Sequence, residues 1–379
     1  MKINHYILFF LFALCALGCQ EKIDLSSQKY EKAPVITGKF TNDDGPYTVR
    51  ISYSSPVNYS EFKPFINCDV TVYEDTGESE SYVEVEPGVY QSHENGMHGK
   101  IGHSYQLVVE TPGGKVYQSD FQKIKEPIGI DTVYAKVEYQ ERLYERTDLA
   151  GYQFYLSTHK ASIQENYFLW NMEETYEYTA DYPLVSTMEN GVRQENIDLD
   201  TLYRCWKTDL VREIFAENTI GLTNPKITNH PLHFVGVNSK RLQHRYSLLV
   251  KQYTLNKEAY TYWKSVREQL ESDDFLYASQ PYPVRSNLYN PDAPRETVLG
   301  YFTVASVKEK RIFVNNPAIR LEIETCFVNT DLRFIDPMSY RTKLYFTRGE
   351  DGLGMVDESC VDCRLAGGKT KKPEFWIDR

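Results

Sequence analysis

After residue 18 the chain has no apolar run long enough to cross a bilayer as a helix, which takes about 20 residues. That excludes a helical membrane protein for the rest of the sequence. Histidine (8), methionine (6) and tryptophan (4) are scarce. There is no Gly-x-Ser-x-Gly elbow, phosphate loop, dinucleotide fingerprint or helical His-Glu-x-x-His pair. Those absences remove the enzyme classes that declare themselves by a local motif. They do not remove hydrolases whose two carboxylates lie far apart in sequence. Positive charge is also short, with 42 basic against 53 acidic residues and a net charge of −11. A phosphate backbone needs a cationic surface, so nucleic acid is not an expected partner. The one basic stretch, Lys369 to Lys372, is too short to alter this and reads as a solvated turn. No internal repeat or low-complexity tract is present.

The first eighteen residues differ from everything after them. Lys2 gives a positive start, Tyr6 to Leu17 is apolar, and Ala16-Leu17-Gly18-Cys19 leads abruptly into Gln20-Glu21-Lys22. A basic start, a short apolar core and a small residue at the cut make a secretory signal. A cysteine immediately after the cut resembles a bacterial lipobox. Ala16 and Leu17 depart from its usual pattern of leucine and then a small residue. Residues 1–18 are therefore expected to be a lipoprotein signal peptide, and Cys19 the acylated first residue of the mature chain. Several acyl chains anchor stably where one binds only marginally. Residues 19–32 are polar and without periodicity, which suits a tether.

Thirty tyrosines, with abundant valine, threonine and phenylalanine, favour strands. From residue 33 to 126, apolar residues alternate with polar ones between turn signals. Tyr47, Val49, Ile51 and Tyr53 share one face of a strand; so do Cys68, Val70 and Val72, and Tyr105, Leu107 and Val109. Such short strands at regular spacing predict a small antiparallel sandwich of immunoglobulin-like type. Glu126-Pro127-Ile128-Gly129-Ile130-Asp131 reads as a boundary, because Pro127 cannot donate to a ladder and Gly129 is permissive. Beyond it, residues 127–379 read as a larger, mixed, mostly antiparallel α+β domain. Its strand-like runs are Thr132–Tyr139, Tyr152–Ser157, Tyr167–Tyr178, Arg245–Tyr253, Val298–Val304 and Arg311–Val314. Ala259, Trp263, Val266 and Leu270 behind Asn256 predict a helix near 257–271 with one apolar stripe, and a shorter helix is expected over Asp209–Glu217. The fold class is mainly β.

Five cysteines follow Cys19. In an oxidising compartment pairing is the default. Cys205, Cys326, Cys360 and Cys363 allow three connectivities that spacing does not separate. Two disulfides tying the carboxy-terminal segment back to the strands of Cys205 and Cys326 are expected, with Cys68 a buried free thiol. A zinc site would want a second Cys-x-x-Cys, and a redox pair would want a helix where Arg364-Leu365-Ala366-Gly367-Gly368 reads as a loop. His93, His98 and His103 sit at spacings of five and cannot all share a strand face. His230 and His233 lack the helical arrangement of a zinc hydrolase. Asp198 with Asp200, and Asp273 with Asp274, lack the further ligands of a calcium loop. No catalytic residue, metal ligand or cofactor is nominated.

One ordered set of segments carries a resemblance. Gly88-Val89-Tyr90 and Gly102-His103-Ser104-Tyr105 come first, then Cys205-Trp206 and Arg245 to Tyr253. Glu258-Ala259-Tyr260 with Trp263, Val298 to Phe302, Lys310 to Phe313, Cys360 to Arg364 and Lys372 to Trp376 follow. Over nearly the whole mature chain this resembles the Bacteroidetes outer-membrane lipoproteins known only as domain-of-unknown-function family 4249. The resemblance implies a lipid-anchored protein of the outer membrane, facing the periplasm or the cell surface. Its members are often encoded beside TonB-dependent transporters, which implies an accessory binding role in nutrient capture with such a β-barrel as partner. It supplies no catalytic residues and no ligand. An envelope hydrolase of peptide or glycan and a purely structural surface protein are the alternatives; two facing carboxylates in a deep cleft would mark the former. Cys19→Ser is expected to abolish metabolic fatty-acid labelling and move the protein out of the membrane fraction. Unchanged labelling would remove the anchor.

Overall fold

The alternations become strands with the expected sides buried. Val49, Ile51, Val70, Val72, Tyr105, Leu107 and Val109 are all sealed from solvent, as is Cys68, a free thiol. The computed structural model describes residues 32–55, 62–142, 147–162, 165–196, 201–272, 284–334 and 343–378. Cys19 and the tether through residue 31 lie outside them, as do the two aspartate pairs at 198–200 and 273–274.

The amino-terminal strands are β1 (Pro34–Thr41), β2 (Thr48–Tyr53), β3 (Lys63–Pro64), β4 (Asp69–Glu74), β5 (Ser79–Glu86), β6 (Val89–Gln91), β7 (Ser104–Glu110), β8 (Val116–Ser119) and β9 (Gln122–Lys123). After them come β10 (Ile130–Gln140), β11 (Leu149–Thr158), β12 (Tyr167–Thr179), β13 (Ser186–Glu189), β14 (Val192–Glu195), β15 (Arg204–Leu210), β16 (Phe215–Asn218), β17 (His230–Gly236) and β18 (Arg245–Leu255). Helix α1 (Lys257–Ser272), β19 (Leu288–Tyr289), β20 (Phe302–Asn315), β21 (Leu344–Gly349) and β22 (Gly352–Val356) complete the order. The protein is mainly β, with one α-helix among the described residues.

A single hydrogen-bonded path runs β15-β12-β18-β20-β1-β2-β6-β5-β4-β7-β8-β19, with β16, β3 and β9 attached at its sides. In the amino-terminal part the path folds back on itself. β5 pairs with β4 through Ser79–Tyr82 and with β6 through its second half, so it passes from one layer to the other. Between the layers lie Ile36, Phe40, Ile51, Val72, Tyr105 and Leu107, joined by Leu288, Phe302 and Val304 from far along the chain. The link is β20, whose first four residues pair in parallel with β1, Gly38 facing Phe302 and Thr41 facing Ala305. From Ser306 onward β20 runs antiparallel to β18.

The strands β12, β18 and β20 form a layer covered on both faces. Even-numbered residues of β12 and β18, among them Phe168, Trp170, Leu248 and Val250, meet Val133, Phe154, Leu156 and Val235 of the three-stranded sheet β10-β11-β17. Odd-numbered ones, Tyr167, Leu169, Tyr253 and Leu255, meet Ala259 and Tyr260 of α1, with Trp263 packed alongside. Burial on two faces is why these strands read as near-continuous apolar runs, and each such Phe or Leu contributes about 1.5–3 kcal/mol. The Asn256 Oδ1 accepts the Ala259 N–H at 2.7 Å, so the N-cap is as expected. Leu270 of the expected apolar stripe is exposed.

Two expectations are corrected. Asp209–Glu217 is not a helix: its ends belong to β15 and β16, which lie end to end along one edge of β12. The open edge of β12 supplies backbone partners that outweigh local helical preference. Val298–Val304 and Arg311–Val314 are not separate strands, because β20 runs unbroken through Phe302–Asn315.

The carboxy-terminal segment is strapped to this layer. Cys205 of β15 bonds Cys363, and Cys326 bonds Cys360; Cys326 itself lies outside any strand. The first closes a separation of 158 residues, and a native bridge of this kind stabilises by about 2–5 kcal/mol. Trp376 is buried edge-on to Phe313, and the Arg311 guanidinium lies 3.6 Å from the Phe375 ring centroid. The separated motifs Lys310–Phe313 and Lys372–Trp376 are thus one contact.

Gly300 opens the approach of β20 to β1. Its φ is +89°, and a Cβ there would collide with the Ile36 carbonyl. Gly300→Ala is expected to lower the unfolding free energy by about 2 kcal/mol or more, read by urea denaturation; a neutral result would mean that the β1–β20 junction is not held this closely.

Candidate functional site

The boundary segment Glu126–Asp131 is fixed by the central layer and, with its neighbours, encloses a cleft. Gln252 of β18 donates through Nε2 to the Ile128 carbonyl at 2.7 Å, while its Oε1 accepts Trp170 Nε1–H at 2.9 Å. The Ile128 N–H donates to Thr254 Oγ1 at 3.2 Å. On one side the turn at Ile101–Gly102 is tied to Ile124 by a 2.8 Å backbone bond. On the other, the His159 N–H donates to the Gly129 carbonyl at 2.8 Å and the Ala161 N–H to that of Pro225 at 3.0 Å. The cleft between them has a volume of about 680 Å³, a size that suits one small molecule.

Its lining combines apolar side chains with cations. Ile101, Ile124, Pro127 and Ile128 supply the former, and Lys123, Lys125 and Lys160 the latter. Lys125 is half-buried, its Nζ 5.4 Å from the centroid of Tyr167. Burial pulls its pKa below the usual lysine range, opposed by the charges of Glu258 and Glu165. Among the described residues Lys123, Lys125 and Lys160 form no ion pair. Among the described residues the one acid within ion-pair reach of His159 is Asp131, at 3.9 Å, and Asp131 is paired with Lys226 at 2.8 Å.

A second polar group lies inside the layer contact. Glu174 of β12 points into the core beside β17, where Tyr246 OH donates to its Oε2 at 2.8 Å and Arg241 lies at 3.3 Å. His233 stands 3.7 Å from the same carboxylate and 3.4 Å from Glu213. Burial alone would raise the Glu174 pKa, but His233, Arg241 and Tyr246 together hold it below the usual carboxylate value. Burial likewise opposes the charge on His233, and the two glutamates more than offset it, leaving its pKa raised. This acid–base group saturates itself: each member is a partner of another, which makes it a structural cross-tie.

The other sequence candidates scatter. His103 Nδ1 sits 2.6 Å from Glu74, and Glu74, Asp75 and His103 could converge on a cation. Lys100 Nζ, however, occupies the same carboxylate at 3.1 Å and supplies the positive charge itself. His93 and His98 line a separate shallow hollow. Cys205, Cys326, Cys360 and Cys363 are consumed in disulfides, which leave no thiolate for zinc. On the outer face of β10 and β11, Tyr134 and Tyr155 stack at 5.4 Å with Lys136 Nζ 5.5 Å from each ring. Sequence reasoning marked the Glu126–Asp131 turn but not the cleft around it. The lysine spacing 123, 125, 160 has no motif; only the odd pair Lys123 and Lys125 beside a proline turn hinted at a cationic rim.

A family model described as "Domain of unknown function (DUF4249)" matches residues 20–311. The match is shorter than the expected resemblance over nearly the whole mature chain, and it leaves out Cys326, Cys360 and Cys363. No curated protein matches the sequence.

The buried cross-tie has a pH signature. Because the folded pKa of His233 is raised, its stabilisation is full below the ordinary histidine pKa and is lost as pH rises through the raised value. Glu174, with its folded pKa lowered, contributes above the ordinary carboxylate pKa and loses that contribution in acid. The stability gap between the protein and His233→Gln is therefore expected to shrink from pH 6 towards pH 9, measured by urea unfolding. Glu174→Ala, which takes the carboxylate from Arg241 and the acceptor from Tyr246 OH, is expected to cost about 3 kcal/mol near neutrality. A gap independent of pH would refute the pairing.

Proposed function

Because the chain belongs to the family described as Domain of unknown function (DUF4249), we propose that it is an envelope lipoprotein, anchored through Cys19, that serves as a non-catalytic accessory binding module beside a TonB-dependent outer-membrane transporter. The carrying observation is the cleft at Glu126–Asp131: about 680 Å³ of amphipathic space held by side chains of the central layer. Its lining gathers three lysines and a single carboxylate, Glu126, a set that suits solute binding, whereas the hydrolase alternative calls for two facing carboxylates. Glu174 and Glu213, the acids nearest to a histidine in the core, are engaged with His233 and Arg241.

Placement in the envelope draws on three features. The leader and Cys19 have the order of a lipoprotein signal. Cys205–Cys363 and Cys326–Cys360 suit an oxidising compartment. Among the described residues no helix is long and apolar enough to cross a membrane, so acyl chains are the proposed attachment. The transporter enters through the family resemblance, and nutrient capture is the process the two would share. Affinity capture of the lipidated protein from its native membrane in mild detergent, followed by mass spectrometry, is expected to recover a β-barrel transporter. Recovery of the lipoprotein without any such barrel would overturn the accessory role.

A further inference from the structure

We infer that the cleft at Glu126–Asp131 binds a small organic oxyanion, a carboxylate or phosphate ester with an apolar portion, whose charge is taken by Lys125 inside and by Lys123 and Lys160 at the rim. This deepens the binding reading above and rests on it.

The protein carries a net charge of −11, and its lysines and arginines are widely committed: Lys100 to Glu74, Lys115 to Glu296, Lys226 to Asp131, Lys240 to Asp181 and Arg241 to Glu174. Against that background one concavity gathers three lysines that form no ion pair among the described residues. Glu126 also lines the cleft, and Glu165 and Glu258 act on Lys125 from a distance. None of the three pairs with its ammonium among the described residues; the face of Tyr167 lies 5.4 Å away.

Withdrawing an ammonium from water without a partner is unfavourable, and a ring face offsets only part of that cost. The depressed Lys125 pKa is the same penalty seen in the proton equilibrium. An anion entering the cleft would return the missing partner through charge-assisted hydrogen bonds. The apolar side chains of Ile124, Pro127 and Ile128 meanwhile give a carbon skeleton something to cover. A neutral sugar would leave the ammoniums unpaired, and a bare inorganic anion would leave the apolar floor wet. Lys125 is thus the discriminating residue.

The test is competitive acetylation of lysines in the full-length, detergent-solubilised protein, read site by site by mass spectrometry. Benzoate and phenyl phosphate are the soluble probes, glucose the neutral control, and vesicles containing phosphatidylglycerol stand for a lipid-borne phosphate. Labelling of Lys125 is expected to fall about fivefold once a soluble anion exceeds its Kd a few times over. Lys264, paired with Glu268 on α1, should be unaffected. Titration calorimetry of the effective anion should lose its signal with Lys125→Gln and keep it with Lys264→Gln. Equal protection of Lys125 and Lys264 would mean ionic screening alone and would overturn the inference. So would protection by vesicles but by neither soluble anion, or no protection at all. The measurement uses the isolated protein, so its failure is separable from failure to recover a transporter.

Discussion

The architecture depends on one strand serving two neighbours of opposite direction. β20 gives its first four residues to a parallel pairing with β1 and the rest to an antiparallel pairing with β18. Backbone hydrogen bonds therefore run without a break from the amino-terminal layers into the central sheet. A linker between independent bodies would let them rotate; a shared ladder does not, because moving one half would strip buried donors and acceptors of their partners. Phe302 and Val304 carry the same coupling into side chains, since both sit in the core of the amino-terminal layers.

That rigidity is what gives the cleft a fixed shape. Its floor is the Ile128 peptide, held at both its N–H and its carbonyl by Thr254 and Gln252 of β18. Its walls come from the Ile101–Gly102 turn and the loop after β11. Residues from both sides of the boundary therefore face one another across a distance set by the sheet. A site prepared in this way loses little conformational freedom when occupied.

Much of the fold was legible because period-two alternation is a direct consequence of strand geometry. Val49 and Ile51, Val70 and Val72, and Leu107 and Val109 were placed correctly on their buried sides, and Asn256 marked the start of α1. What failed was decided by partners distant in sequence. Asp209–Glu217 has a helical look in isolation, yet Phe215 faces Trp170 and Leu210 faces Glu173 along β12. The cysteine pairing was open for the same reason: Cys205 reaches Cys363 only because the chain end crosses β15. The cleft was the least visible. Lys123, Lys125 and Lys160 have no fixed offset, and their convergence depends on the Gly129–His159 contact that brings the loop after β11 against the boundary.

The pairing of Gly38 with Phe302 also sets an order of events in biosynthesis. A polypeptide is made from its amino end, so β1 emerges long before the strand that completes it. Until then one side of β1 is an open sheet edge, with Ile36 and Phe40 lacking part of their cover, and such edges recruit other chains. The nascent protein must be shielded, or kept unfolded, until its final quarter arrives.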